Sequence, residues 1–293
     1  MAGFDDHVRL TETTATAPAL ATDGAVLHLA WTGTDTRLNT LSSRDGEEFG
    51  GKRTWPARSS RQETETTGTG STSTTTTRIV PLSPALAVSG EDLHLSWTGT
   101  DRRLNVWNLA RAQEGEQGHE ILDETSPHGP ALAVRGVETV LAWTGTDRHL
   151  NLVTAARGRW GSSWRLDETS DYAPAVGAAG GELALAWTGT DRHINLLWTR
   201  DGAWGTPVRL DEKSFDAPAL GTVDEALVLA WTGTNRRLNV LTTRPGEARP
   251  PAKLEATSPY SPAVCEHDDR LAIAWTGTDG RVNVARLVHQ PSA

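Results

Sequence analysis

The sequence predicts an all-β chain folded as a six-bladed β-propeller of four-stranded antiparallel blades, and three observations carry that prediction. The words Ala30-Trp31-Thr32-Gly33-Thr34-Asp35 and, three residues on, Leu38-Asn39 return five more times, beginning at Trp97, Trp143, Trp187, Trp231 and Trp275. The intervals are 66, 46, 44, 44 and 44 residues. Within each unit apolar residues alternate with period two, as in Val26-Leu27-His28-Leu29-Ala30-Trp31, the pattern of a half-buried strand. No segment of helix length has a 3.6-residue apolar period, and four short strands in 44 residues match the blade of a propeller.

The chain opens on Val8-Arg9-Leu10, which reads as the outermost strand (d) of a unit. Each unit then supplies a Pro-Ala-Leu strand (a), a strand ending at Trp (b), a Leu-Asn strand (c) and a short strand d, such as Trp164-Arg165-Leu166 or Val208-Arg209-Leu210. Pro18, Pro84, Pro130, Pro174, Pro218 and Pro262 each precede their Trp by 13 residues. Asn39, Asn105, Asn151, Asn195, Asn239 and Asn283 each follow it by eight. Length changes are thereby confined to the segment after the Asn, a surface hairpin tolerant of insertion. The last unit ends on strand c, Arg281-Val282-Asn283-Val284, without a strand d of its own. Pairing with the spare N-terminal strand would close the ring and remove an exposed edge. Residues 1–293 therefore read as one domain of six repeats.

The long first interval holds a low-complexity insertion at about residues 57–79. Ser59 to Thr77 contains no apolar residue, so burial cannot offset ordering, and a mobile solvated loop between blades one and two is expected.

Bulk properties exclude several classes. A net charge of −9 and a pI near 5.5 oppose the basic stripe that nucleic-acid binding needs. Cys265 is alone, so no intrachain disulfide forms, and in an inner strand it reads as a buried inert thiol. Met1 to Val8 carries two acids and no apolar run, which places the chain in the cytoplasm as synthesised, with release by a non-classical route left open. No stretch approaches the roughly 18 apolar residues of a membrane span. No P-loop, dinucleotide fingerprint, zinc spacing or nucleophile elbow is present, so no cofactor is expected. Glu266-His267-Asp268-Asp269 reads as a solvated turn rather than a cation site, and no metal is expected.

The strand order puts the Thr-Gly-Thr-Asp turns between b and c on the same face as the links from d to the next a. That face repeats Asp35, Asp101, Asp147, Asp191, Asn235 and Asp279, next to Arg37, Arg103, His149, His193, Arg237 and Arg281. The d–a links bring His128, Tyr172, Phe215 and Tyr260 just before the Pro. Carboxylate, basic group and aromatic face are what grips sugar hydroxyls and stacks on a pyranose ring, so the clefts between blades are expected to bind a glycan or other small polar ligand. Multiplicity would give avidity. A purely structural reading accounts for part of the same residues: Thr and Asp capping turn amides, Gly supplying a positive φ, Asn tying strand c to the turn, and Trp wedged between blades.

The c–d hairpins Ser43-Arg44-Asp45-Gly46-Glu47-Glu48-Phe49 and Thr199-Arg200-Asp201-Gly202-Ala203-Trp204 resemble the Asp-box turns of sialidase-type propellers, which are structural in that family. Here Gly follows Asp directly, and the hairpins at Ala155-Ala156-Arg157-Gly158-Arg159-Trp160 and Thr243-Arg244-Pro245-Gly246 have lost the Asp. The Trp-Thr-Gly-Thr-Asp unit resembles bacterial propeller repeats found in lectin-like and uncharacterised secreted proteins. That resemblance implies a lectin-like propeller. A propeller enzyme acting in the central or top-face cleft and a protein-interaction scaffold are the alternatives. An enzyme needs different residues on several blades, and sialidases use an arginine cluster with a tyrosine nucleophile and its acidic partner. Only Tyr172 and Tyr260 are available, both in d–a links, so no catalytic residue is assigned.

Overall fold

The computed structural model describes residues 4–67, 73–112, 117–243 and 250–287. Strand β1 (Phe4–Thr13) precedes blade one, which comprises β2 (Ala19–Thr22), β3 (Leu27–Thr32), β4 (Arg37–Ser43) and β5 (Gly50–Arg58). A separate hairpin follows, β6 (Ser60–Thr67) and β7 (Thr74–Pro81). Blade two is β8 (Ala85–Ser89), β9 (Asp92–Thr98), β10 (Arg103–Asn108) and β11 (His119–Thr125). Blade three is β12 (Ala131–Arg135), β13 (Glu138–Thr144), β14 (His149–Ala156) and β16 (Trp164–Thr169), with β15 (Arg159–Trp160) extending the c–d hairpin. Blade four repeats this as β17 (Ala175–Ala179), β18 (Glu182–Thr188), β19 (His193–Arg200), β20 (Ala203–Trp204) and β21 (Val208–Lys213). Blade five is β22 (Ala219–Val223), β23 (Ala226–Thr232), β24 (Arg237–Thr243) and β25 (Ala252–Thr257). Blade six is β26 (Ala263–His267), β27 (Arg270–Thr276) and β28 (Arg281–Leu287), completed by β1. No helix among the described residues is long and apolar enough to cross a membrane.

The ring closes as the sequence predicts. β1 pairs antiparallel with β28, His7 opposite Ala285 and Arg9 opposite Asn283. The Phe4 and His7 rings stack on Trp275 at 5.4 and 5.1 Å. Arg286, a buried side chain, reaches both Asp6 of β1 and Glu47 in the c–d hairpin of blade one, each at 2.7 Å, and so ties the closing strand to both blades at the seam.

The spacing of eight between Trp and Asn follows from the b–c hairpin, in which the two residues are directly opposed, as Trp31 with Asn39 and Trp143 with Asn151. Each Trp is at most 4% exposed and wedges against the preceding blade. Among the described residues the apolar clusters fall one at each interface: Trp143, for example, packs with Ala85, Leu104 and Val106 of blade two. Inner strands of successive blades meet around a central channel.

The insertion differs from expectation, for it is not an irregular loop. β6 and β7 pair in register from Ser60 with Pro81 to Thr67 with Thr74. Threonine is β-branched and suits a strand even when nothing buries it, and the cross-strand hydroxyls of Thr64 with Thr77 and Thr66 with Thr75 approach to 3.4 and 3.2 Å. Glu63 joins Arg61 on its own strand to Arg78 opposite. The tip, residues 68–72, lies outside the described residues, as do Arg244, Pro245 and Gly246 of the blade-five hairpin.

Candidate functional site

The b–c turns are built first by their own side chains. In all six, Oδ1 of the fourth residue of Thr-Gly-Thr-Asp/Asn accepts the N–H two residues on: Asp35 from Arg37, Asp101 from Arg103, Asp147 from His149, Asp191 from His193, Asn235 from Arg237 and Asp279 from Arg281, at 3.0–3.1 Å. The Asn of strand c donates Nδ2 to the carbonyl of that basic residue, 2.9 Å for Asn39 to Arg37. The glycine of the turn has a role other than the positive φ expected. A Cβ on Gly33 would stand 2.7 Å from Asp35 Oδ1, so the position is closed to any side chain. The left-handed residue is three further on: Thr36, Arg102, Arg148, Arg192 and Arg236 at φ of 65–70°, and Gly280 at 77°.

Three of the six basic positions turn to strand d of their own blade. His149 Nδ1 lies 2.9 Å from the Leu166 carbonyl, His193 Nδ1 2.8 Å from that of Leu210, and Arg103 Nε donates to Leu122 O at 3.1 Å. Oδ2 of three turn carboxylates faces an arginine instead. Asp147 meets Arg165 at 3.1 Å, Asp191 meets Arg209 at 2.9 Å and Asp279 meets Arg9, each arginine from strand d and each pair about half exposed. The His193 amide and Arg209 hold the Asp191 carboxyl below its usual range, and Arg9 with the Arg281 amide does the same for Asp279.

The d–a links are held by a different device. The threonine after each Trp donates Oγ1 to the carbonyl two residues before the next Pro: Thr276 to Thr16, Thr32 to Leu82, Thr98 to His128, Thr144 to Tyr172, Thr188 to Asp216 and Thr232 to Tyr260, at 2.6–2.7 Å. The amide of the same residue goes to a serine or threonine hydroxyl two residues earlier in five links, as Tyr172 N to Ser170 Oγ at 2.9 Å. Both backbone groups of the position are thus fixed, and its side chain is left to vary: Thr16, Leu82, His128, Tyr172, Asp216, Tyr260.

These six positions face one funnel of about 480 Å³ at the mouth of the central channel, walled below by the repeated Pro and Ala. His128, Tyr172, Phe215 and Tyr260 all reach it, whereas none of the turn residues Asp35, Arg37, Asp101, Arg103, Asp147, His149, Asp191, His193, Arg237, Asp279 and Arg281 lines it. The four link residues thus share the funnel, and the turn carboxylates lie outside its lining. The links run inward to strand a at the axis, while the Asx cap folds each carboxylate over its own turn.

Phe215 is also out of step with the other three. It is 50% exposed, one residue earlier in the link, with the Arg192 guanidinium 4.5 Å from its ring. Asp171 occupies that place in the preceding link and pairs with Arg148 at 3.2 Å. The residue equivalent to Tyr172 and Tyr260 is Asp216, which residue-type reasoning passed over; counting two back from each fixed Pro finds it. Its Oδ1 accepts the Ala217 amide at 2.7 Å and its Oδ2 the Ser261 amide at 2.9 Å. Burial nevertheless pushes its carboxyl up to about 6. Burial raises the hydroxyls of Tyr172 and Tyr260 as well, with the Asp216 charge adding to it, and burial and Arg61 push His128 down to about 4. Arg61, from the inserted hairpin, docks on this wall by donating to Pro127 O at 2.6 Å.

The channel opens into a second chamber of about 490 Å³ at its other end, lined in part by Cys265, Glu266 and His267. Burial pushes the Cys265 thiol up to about 12. Among the described residues no group of three or more His, Cys, Asp or Glu could hold a metal ion.

No protein-family model matches the chain, and no curated protein matches it. Solved structures do resemble it. A mutant form of the lectin of Aleuria aurantia, in complex with alpha-methyl-L-fucoside, superposes with a TM-score of 0.66 over 97% of this chain and 95% of that one, at 11% identity. AofleA of Arthrobotrys oligospora gives 0.64 over 97% and 86%, at 12% identity. The lectin BP39L of Burkholderia pseudomallei gives 0.64 over 92% and 79%, at 15% identity. These likenesses establish the six-bladed fold.

Proposed function

We propose that this propeller is a multivalent, lectin-like carbohydrate-binding protein whose repeated sites are the b–c turns. The observation that carries the reading is the outward carboxylate–guanidinium pair repeated at Asp147–Arg165, Asp191–Arg209 and Asp279–Arg9. Vicinal sugar hydroxyls suit such a pair, one donating to the carboxylate while its neighbour accepts from the arginine. Asp35 with Arg37, Asp101 with Arg103 and Asn235 with Arg237 offer variants of the same turn, and His149 and His193 tie it to strand d. Single weak sites of this kind gain from multiplicity. Sugar-binding among similarly folded proteins supports the reading, as does the resemblance of the repeat to lectin-like bacterial propellers. The Asp45 hairpin, whose Oδ1 accepts the Glu47 and Glu48 amides at 2.9 Å, supports the kinship with Asp-box turns in blade one.

The test uses a substitution already present in the molecule. Asn235 caps its turn as the aspartates do, so Asp147→Asn and Asp191→Asn should preserve the cap while removing the charge. A glycan array followed by calorimetry on the strongest hit should show fewer tight sites in the double variant and an unchanged melting temperature. Undiminished stoichiometry would move the sites away from these turns.

A further inference from the structure

The funnel is a different kind of site from the turns, because it occurs once. Its four variable positions His128, Tyr172, Asp216 and Tyr260 come from consecutive links, and the remaining two, Thr16 and Leu82, are buried and carry no charge or aromatic ring. The sixfold backbone is thereby given a one-sided lining, which a set of equivalent sugar sites does not require.

The chemistry of that lining selects a class of ligand. Asp216 places a carboxylate in a wall of Pro and Ala, held by two backbone amides, and among the described residues no Lys, Arg or His makes an ion pair with it. A half-buried charge in that position lacks its counter-charge. The neighbouring cations are engaged elsewhere: Arg148 with Asp171, Arg61 with Glu63, and Arg192 over Phe215. His128, its proton affinity lowered by burial and Arg61, is neutral at pH 7 and adds no positive charge. Tyr172 and Tyr260 flank the carboxylate from the links on either side, and the faces of aromatic rings attract cations. Asp171 and Arg148 offset each other at the rim, which leaves Asp216, among the described residues, as the carboxylate of the lining without a cation beside it. A volume of about 480 Å³ is ample for a small organic molecule.

We infer that the arc of Tyr172, Asp216 and Tyr260 binds an organic ammonium ion, one per chain, at the mouth of the channel. The ammonium carbon shell lies against the two rings and its charge against Asp216. The site is independent of the sugar reading: it uses none of the turn residues, and either can fail alone.

The experiment is calorimetric titration of the full chain with choline and, in parallel, with 3,3-dimethyl-1-butanol, its uncharged carbon isostere. Choline should bind once per chain and the isostere at least tenfold more weakly. Tyr172→Ala and Tyr260→Ala should each weaken choline about tenfold or more with an unchanged melting temperature, as loss of a stacking ring does elsewhere. Choline should also bind about tenfold more tightly at pH 7 than at pH 5. A carboxyl that ionises near 6 is roughly nine-tenths charged at the first and one-tenth at the second, and apparent affinity scales with the competent fraction. Asp216→Asn should abolish binding; should it fail to fold, the tyrosine variants and the pH series decide. Absence of binding up to on the order of 10 mM, equal binding of the isostere, more than one site, or indifference to both tyrosine substitutions would each overturn the inference.

Discussion

The b–c turns and the d–a links lie on one face and are each built six times, but they vary in opposite ways. In the turns the side chains recur because the turn consumes them: Asp35 and its counterparts cap an amide, the glycine leaves room for that cap, and the Asn closes the hairpin. In the links the hydrogen bonds recur and the side chain between them does not, so one backbone position carries Thr, Leu, His, Tyr, Asp and Tyr in turn. Recurrence in a repeat protein thus marks scaffold first, and a fixed backbone with a free side chain marks where the copies can diverge in role.

The comparison breaks most visibly if the scaffold is removed. Deleting residues 1–14 takes away strand β1, the stack on Trp275, and the Thr14 latch to Thr32 O and Gly280 O. A stability loss of several kcal/mol is expected in urea unfolding, from lost burial and strand hydrogen bonds together. An unchanged midpoint would mean the ring does not depend on its closing strand.

The next effect belongs to a link side chain and depends on pH. With its carboxyl raised from 3.8 to about 6, Asp216 holds a proton more tightly in the folded chain than in the unfolded one. Its contribution to stability is full below about pH 4 and is lost as the pH rises through 6, by up to about 2–3 kcal/mol. Urea unfolding at pH 4 and pH 7 should show wild type losing that much relative to Asp216→Asn. Parallel curves would place the carboxyl in an environment like water.

A smaller effect sharpens the contrast within the latches themselves. Ser170 Oγ, fully buried, donates to Thr188 O and accepts from the Tyr172 amide, so Ser170→Ala should cost about 1–3 kcal/mol by orphaning both. Ser59 stands at the corresponding place before blade two, yet its buried Oγ has no hydrogen-bond partner among the described residues, and the Leu82 amide turns to the Ser59 carbonyl at 3.2 Å instead. Ser59→Ala should therefore be neutral within about 0.5 kcal/mol. Equal losses at both sites would show that the hydroxyl matters for its volume and not its bonds. Smallest of all, Asp147→Asn should leave the melting temperature unchanged, because Asn235 already makes the same cap at 3.0 Å.

The fold was legible because repetition exposes periodicity that a single copy hides. Six Trp–Asn spacings of eight residues state a hairpin register, and a spare strand at one end against a missing one at the other states the closure. Composition alone misjudged the insertion, since absence of apolar residues rules out burial and says nothing against a hairpin of threonines. The lining of the funnel was legible only in part. His128, Tyr172 and Tyr260 stood out as residue types, but where they point is set by the radial path of the links, which no spacing records. Asp216 was hidden by Phe215 beside it, the more conspicuous residue at the wrong register.

Closure of the ring by β1 also has a kinetic side. His7 and Asn283, bonded at 3.0 Å, are 276 residues apart in sequence. The entropy of bringing such distant ends together is on the order of 5 kcal/mol for 276 residues, against about 2 for a ten-residue hairpin. Blades one to five can assemble from neighbouring hairpins, each contact repaid soon after it forms, while blade six must wait for a partner from the far end of the chain. Refolding should accordingly end in a slow step seen by the fluorescence of Trp275, and a circular permutant that places β1 directly after β28 should lose that step while keeping every contact of the finished ring.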